Sequence, residues 1–280
     1  VPYGLALLAA VANREGHEIQ VFDANGWRPT DEELIEAIQA DAWDVIATGG
    51  ITTAYGYMKK TVRLARKNAP DALIMMGGGA LTAMPRDIMG FCPEIDIGGI
   101  GEGVITFPDV LKKIDEGRNR KSDWSDVQGI IWRTTRGDIV LNAERPLLDN
   151  IDSLPFPMYE LFPLDIYFKN SCILLSEEAM LAKRRLDINM SYGCSLICRF
   201  CFQRRFRVVP RRKSHDDACV DEKEMAVRTL RSLDQRGAAA DVCEGRSAAR
   251  SQYLRRRALG RDEPCHACLS RSVAGHAQSR

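Results

Sequence analysis

Apolar and polar positions in the first 120 residues alternate between two periods. Residues 4–15 are apolar and alanine-rich and predict a largely buried helix, with Gly16 as its stop. Glu18-Ile19-Gln20-Val21-Phe22-Asp23 alternates and predicts a strand. Thr30-Asp31-Glu32-Glu33 offers a cap and an acidic first turn for a helix to about Ala40. Asp44-Val45-Ile46-Ala47-Thr48 is a short apolar strand, and residues 54–68 form a helix closed by Pro70. Ala72-Leu73-Ile74-Met75-Met76 predicts another strand. Helical signal returns at 84–90, a weak strand follows at 95–97, and a helix runs from about 104 to 116.

Strands separated by helices imply parallel βαβ units, and so an α/β fold: a Rossmann-like, doubly wound parallel sheet. Such sheets bind ligands at the carboxyl ends of their strands. Here those ends are Gly49-Gly50, Gly77-Gly78-Gly79 and Gly98-Gly99. Glycine lets backbone approach a ligand closely, and it equally well makes tight turns. Three clusters on one predicted edge favour a shared cleft. Residues 127–133 and 138–142 flank Thr134-Thr135-Arg136-Gly137 and read as a β-hairpin. The prolines at 146, 155 and 157 then suit a connector.

Composition sharpens the division. Residues 1–201 hold 21 Lys and Arg against 28 Asp and Glu, while residues 202–280 hold 18 against 10. Ile197, Phe206 and Trp132 are the last of their kinds. The basic C-terminal quarter therefore has little from which to build strands. No run approaches 18 apolar residues, so no membrane span is expected. Nine cysteines, an odd number, with three crowded into eight residues, favour metal binding in a reducing cytoplasm over a disulfide framework.

Those three carry the chemistry. Leu186-Asp187-Ile188-Asn189-Met190-Ser191 alternates as a strand and runs into Tyr192-Gly193-Cys194-Ser195-Leu196-Ile197-Cys198-Arg199-Phe200-Cys201. Three thiolates spaced Cys-x3-Cys-x2-Cys can hold three corners of a [4Fe–4S] cubane, leaving one iron open. Tetrahedral zinc would need a fourth ligand, and the nearest histidine, His215, has no recognisable spacing. A redox pair, a chance cluster or a ferredoxin site are the other readings.

The segment resembles the signature loop of the radical S-adenosylmethionine enzymes. The resemblance implies that Cys194, Cys198 and Cys201 ligate the cluster and that the open iron binds S-adenosylmethionine, with Phe200 beside its adenine. One-electron cleavage of the sulfonium would give methionine and a 5′-deoxyadenosyl radical. The cofactor carries the hard chemistry and the protein positions it. The upstream order is a Rossmann-like segment, Gly101-Glu102-Gly103-x-x-Thr106-Phe107, a hairpin and a proline connector. It is similar to the cobalamin-binding subgroup of that family, which includes anaerobic porphyrin-ring cyclases and methyltransferases. By that resemblance Thr48, Gly49, Gly77, Gly78, Gly101 and Glu102 line a cobalamin cleft. Many cobalamin domains carry Asp-x-His-x-x-Gly, whose histidine ligates cobalt; here Asn25 and Arg28 stand at the histidine and glycine positions. Asp23 reads as a turn or cap residue.

The expected organisation is a cobalamin-type domain over 1–120, a hairpin and connector over 121–184, the start of a radical (β/α) barrel over 185–234, and a basic, disordered or aberrant tail over 235–280. The resemblance implies a small-molecule substrate and an electron donor such as a flavodoxin or ferredoxin. A complete barrel takes about 200 residues, so the barrel is expected to be incomplete and the tail frameshifted. Nucleic-acid binding is disfavoured, because Tyr253 is the tail's only aromatic beyond residue 234. Cys265-His266-Ala267-Cys268 is half a zinc pattern without a second half. A non-catalytic fragment and a zinc-bound interaction module are the rival functions.

Overall fold

A computed structural model describes residues 1–169, Arg184, Leu186, Ser191–Tyr192 and Arg212–Lys213. Helix α1 spans Tyr3–Arg14. Gly16 ends it with φ +96°, its N–H bonding Asn13 and that of His17 bonding Ala12. These paired bonds form a Schellman stop, which needs a left-handed residue at that position. After the short helix α2 (Ala24–Trp27) comes α3, Asp31–Gln39. Thr30 and Glu33 there form a reciprocal capping box. Strand β1 is Val45–Gly49, α4 Tyr55–Asn68, β2 Leu73–Gly77, α5 Gly78–Ala83, α6 Pro85–Phe91, β3 Ile97–Gly99 and α7 Gly103–Asp115. The hairpin supplies β4 (Ile130–Arg133) and β5 (Ile139–Leu141). Helix α8, Leu164–Lys169, closes the connector.

The sheet order is β1-β2-β3-β4-β5. The first three strands are parallel, and the hairpin joins antiparallel beside β3. The fold is thus mixed α/β around a parallel core. Strand β2 is buried from Leu73 to Met76 and its side chains alternate. Ile74 and Met76 enter one core with Leu34 and Ile38 of α3 and Met58 and Val62 of α4. Leu73 and Met75 enter the other with Val110 of α7, Trp124 and Trp132. Period-two alternation on a buried strand therefore builds both layers at once.

One predicted strand is absent. Residues 17–23 carry no regular structure and pair with no described strand, so β1 is an edge among the described strands. Alternation identifies a chain able to become a strand; a ladder partner is what makes it one. The proline connector is also more regular than expected, holding two short 3₁₀ turns besides α8. Tyr159, Phe162 and Leu164 bury against Ala6 of α1, and the Met158 N–H bonds the Ala6 carbonyl.

Beneath β2 and β3, buried Asp96 accepts the Ile74 N–H at 2.8 Å and pairs with Arg66. Arg120 approaches it from the other side at 3.5 Å. Asp96→Ala would strand the Ile74 N–H and take the carboxylate from Arg66 and Arg120, which keep only backbone carbonyls as acceptors. The expected cost is about 3 kcal/mol, or a Tm lower by on the order of 10 °C in thermal unfolding followed by circular dichroism.

Candidate functional site

The carboxyl ends of β1, β2 and β3 form one rim. His17 lies 3.7 Å from Asp115 at the far end of α7. Six extended residues rise about 20 Å, matching the roughly 18 Å that α7 spans. The segment from His17 is thus long enough to bring the turn at Asp23 back to the level of Gly103, where α7 starts.

The rim glycines divide into two kinds. A Cβ on Gly78 would meet the Gly50 backbone nitrogen at 2.7 Å and oxygen at 2.8 Å, and Gly78 has φ +85°. A Cβ on Gly49 would lie 3.0 Å from the Gly77 carbonyl oxygen. These two let the β1 and β2 loops cross, and the Ala80 N–H bonds the Gly50 carbonyl across the crossing. At Gly77, by contrast, a Cβ would meet nothing within 4 Å among the described residues. The Gly101 Cβ position is also open; Gly101 has φ +78° and donates its N–H to Thr82 Oγ1 at 3.2 Å. Thr48 is half-buried on β1. The Glu102 carboxylate accepts the Leu148 N–H at 3.3 Å and so holds the connector. Gly77 and Gly101 thus leave open space on the rim, whereas Gly49 and Gly78 are used up by packing.

Asp23 is 3% exposed and caps α2. Its Oδ1 accepts the N–H groups of Asn25 and Gly26 at 3.1 and 3.0 Å. Its Oδ2 accepts the Tyr167 hydroxyl at 2.7 Å, and Asn25 Nδ2 donates to that same hydroxyl oxygen at 3.1 Å. Burial first, and then the Asp23 carboxylate, raise the Tyr167 phenol above its ordinary pKa. Tyr55 is raised to about 12, chiefly by its contact with Cys92. Sequence reading missed Tyr167 because no local pattern links positions 144 residues apart.

The cysteine segment and Phe200 lie outside the described residues, as do Cys265–Cys268. Ser191–Tyr192 pairs antiparallel with Arg212–Lys213, so the three cysteines fall within the stretch this pairing closes. Among the described residues no group of His, Cys, Asp and Glu could hold a metal, and no helix is long and apolar enough to cross a membrane.

Residues 1–111 match the model of the B12 binding domain. That stretch is similar to B12-binding domains. An uncharacterized methyltransferase from Pyrococcus horikoshii is 26% identical to it over 238 residues, 83% of this chain and 48% of the relative. An anaerobic magnesium-protoporphyrin IX monomethyl ester cyclase from Synechocystis is 27% identical over 209 residues, 73% of this chain and 38% of the relative. The cobalamin-dependent S-adenosylmethionine radical enzyme OxsB, solved with aqua-cobalamin and S-adenosylmethionine, shares the fold. Its TM-score is 0.65 at 14% identity, over 94% of this chain and 35% of OxsB. The chain spans about half or less of the length of these curated relatives. The resemblance to cobalamin-domain radical S-adenosylmethionine proteins therefore stands, and the rim glycines lie within the matched stretch.

Proposed function

We propose that the chain binds a corrinoid on the rim of its B12-binding domain and a [4Fe–4S] cluster through Cys194, Cys198 and Cys201. In this reading it serves radical S-adenosylmethionine chemistry on a small-molecule substrate, as cobalamin-dependent methyl transfer or ring closure at an unactivated carbon. The observation that carries the reading is Gly77: an extended strand-end glycine, with open space where its side chain would be, inside a matched B12-binding domain. Glycine at such a point admits a large flat ligand against the backbone. When bound, the cluster and corrinoid supply one-electron and methyl-transfer chemistry. The chain's own part is to shape and hold the site. Gly49 and Gly78 fix the spacing of the two loops, Thr48 and Gly101 line the opening, and Glu102 ties the connector to the rim. Phe200 would pack beside the adenine, and a flavodoxin or ferredoxin would deliver the electron.

A second reading keeps only the first half. The rim is built wholly from residues that precede the cysteines, so it can bind a corrinoid without turnover. Hydroxocobalamin titration and 5′-deoxyadenosine release separate these readings. The anaerobically reconstituted full chain, given dithionite and S-adenosylmethionine, is expected to bind hydroxocobalamin and release 5′-deoxyadenosine. Binding without release selects the second reading, and absence of binding overturns both. Gly77→Leu should raise the Kd for hydroxocobalamin at least about tenfold with its circular dichroism unchanged. Leucine would fill open space there, and the extended backbone accepts it.

A further inference from the structure

One hydrogen-bonded ring joins the turn that begins at Asp23 to the connector. Asp23 holds the first turn of α2 through two backbone N–H groups. The Tyr167 hydroxyl donates to the remaining oxygen of that carboxylate and accepts the Asn25 carboxamide. Pro163, just ahead of α8, closes over the same turn: a Cβ built on Gly26 would lie 2.7 Å from the Pro163 ring. The turn is thus capped from inside by Asp23 and clamped from outside by the connector. A carboxylate this deeply buried is sensitive to loss of any donor, because no water replaces it.

We propose that Tyr167 is a positioning residue for the corrinoid rim, acting through Asp23 and Asn25 to fix the turn of residues 23–28 in its binding conformation. This rests on the rim binding a corrinoid. The connector cannot leave the domain without releasing the turn, and a ligand seated against the turn stabilises the docked connector. Linkage makes this coupling reciprocal. Tyr167 needs its hydroxyl for this, whereas Leu164, on the same helix, contributes only burial beside Tyr159 and Phe162.

The test uses the full chain, hydroxocobalamin as ligand and 5-fluorotryptophan as reporter. Trp27 lies within the turn, with its ring 5.4 Å from Phe22, and Trp27→Phe assigns its ¹⁹F resonance. Tyr167→Phe is expected to shift the Trp27 resonance, leave those of Trp124 and Trp132 in place, and raise the Kd for hydroxocobalamin about tenfold. Added to Asp23→Ala it should cost no further affinity, since both act on one turn. Leu164→Ala should lower the Tm while keeping the Kd within about twofold. Equal affinity in Tyr167→Phe and the parent chain overturns the proposal. So do equal losses of affinity in Tyr167→Phe and Leu164→Ala, which mark a merely structural role. If the parent chain binds no corrinoid, the functional reading and this role fall together. The Trp27 shift then still reports whether Tyr167 fixes the turn.

Discussion

Gly78→Val should leave the protein unable to complete its fold. At φ +85° a β-branched residue is strained by about 1–3 kcal/mol before any contact is counted. Its Cβ would then sit 2.7 Å from one backbone atom of Gly50 and 2.8 Å from another. Backbone atoms cannot rotate away as a side chain does, so the β1 and β2 loops must separate. That breaks the Ala80 bond to the Gly50 carbonyl and disturbs the parallel pairing of Gly49 with Gly77. Together these losses come to roughly 5 kcal/mol, comparable with the whole stability of many domains. Neighbouring Gly77 gives the contrast. Gly77→Ala should melt within about 2 °C of the parent chain, because its added methyl meets nothing. Urea unfolding of the two variants checks both; a Gly78→Val chain as stable as the parent would show that the crossing opens freely.

Cys198→Ala should retain almost none of the iron and sulfide that the parent chain takes up in anaerobic reconstitution. A cubane held at three corners already has one iron without a protein ligand. Removing one of the three thiolates leaves two anchors, and the broad iron–sulfur charge-transfer absorbance should be lost. The rim is made of other residues, so hydroxocobalamin binding should survive the substitution. Iron content equal to the parent's would remove Cys198 from the ligand set.

Local features were readable from sequence and longer-range ones were not. The capping box at Thr30 and Glu33 and the stop at Gly16 are local events, and the structure reproduces both. The hairpin was legible because its turn and both strands lie within sixteen residues. Its attachment to β3 was not, since pairing Ile97 with Trp132 depends on where the whole sheet sits. Residues 17–23 show the same limit from the other side: good alternation, but no described strand beside them. Among the glycines, composition marked the rim without separating Gly77, which faces open space, from Gly78, which faces the Gly50 backbone. Only the crossing of two loops makes that distinction. Cys194, Cys198 and Cys201 are the reverse case, where spacing alone makes the argument.

Strand β1 has a further consequence. Among the described residues no strand pairs with its outer edge, and Val45–Gly49 contains no lysine or proline to discourage one. If that edge is left open, concentrated protein is expected to self-associate there, one copy adding its extended backbone to the next. Such aggregates would be held by amide-to-carbonyl bonds rather than by charge, and raising the salt would not dissolve them.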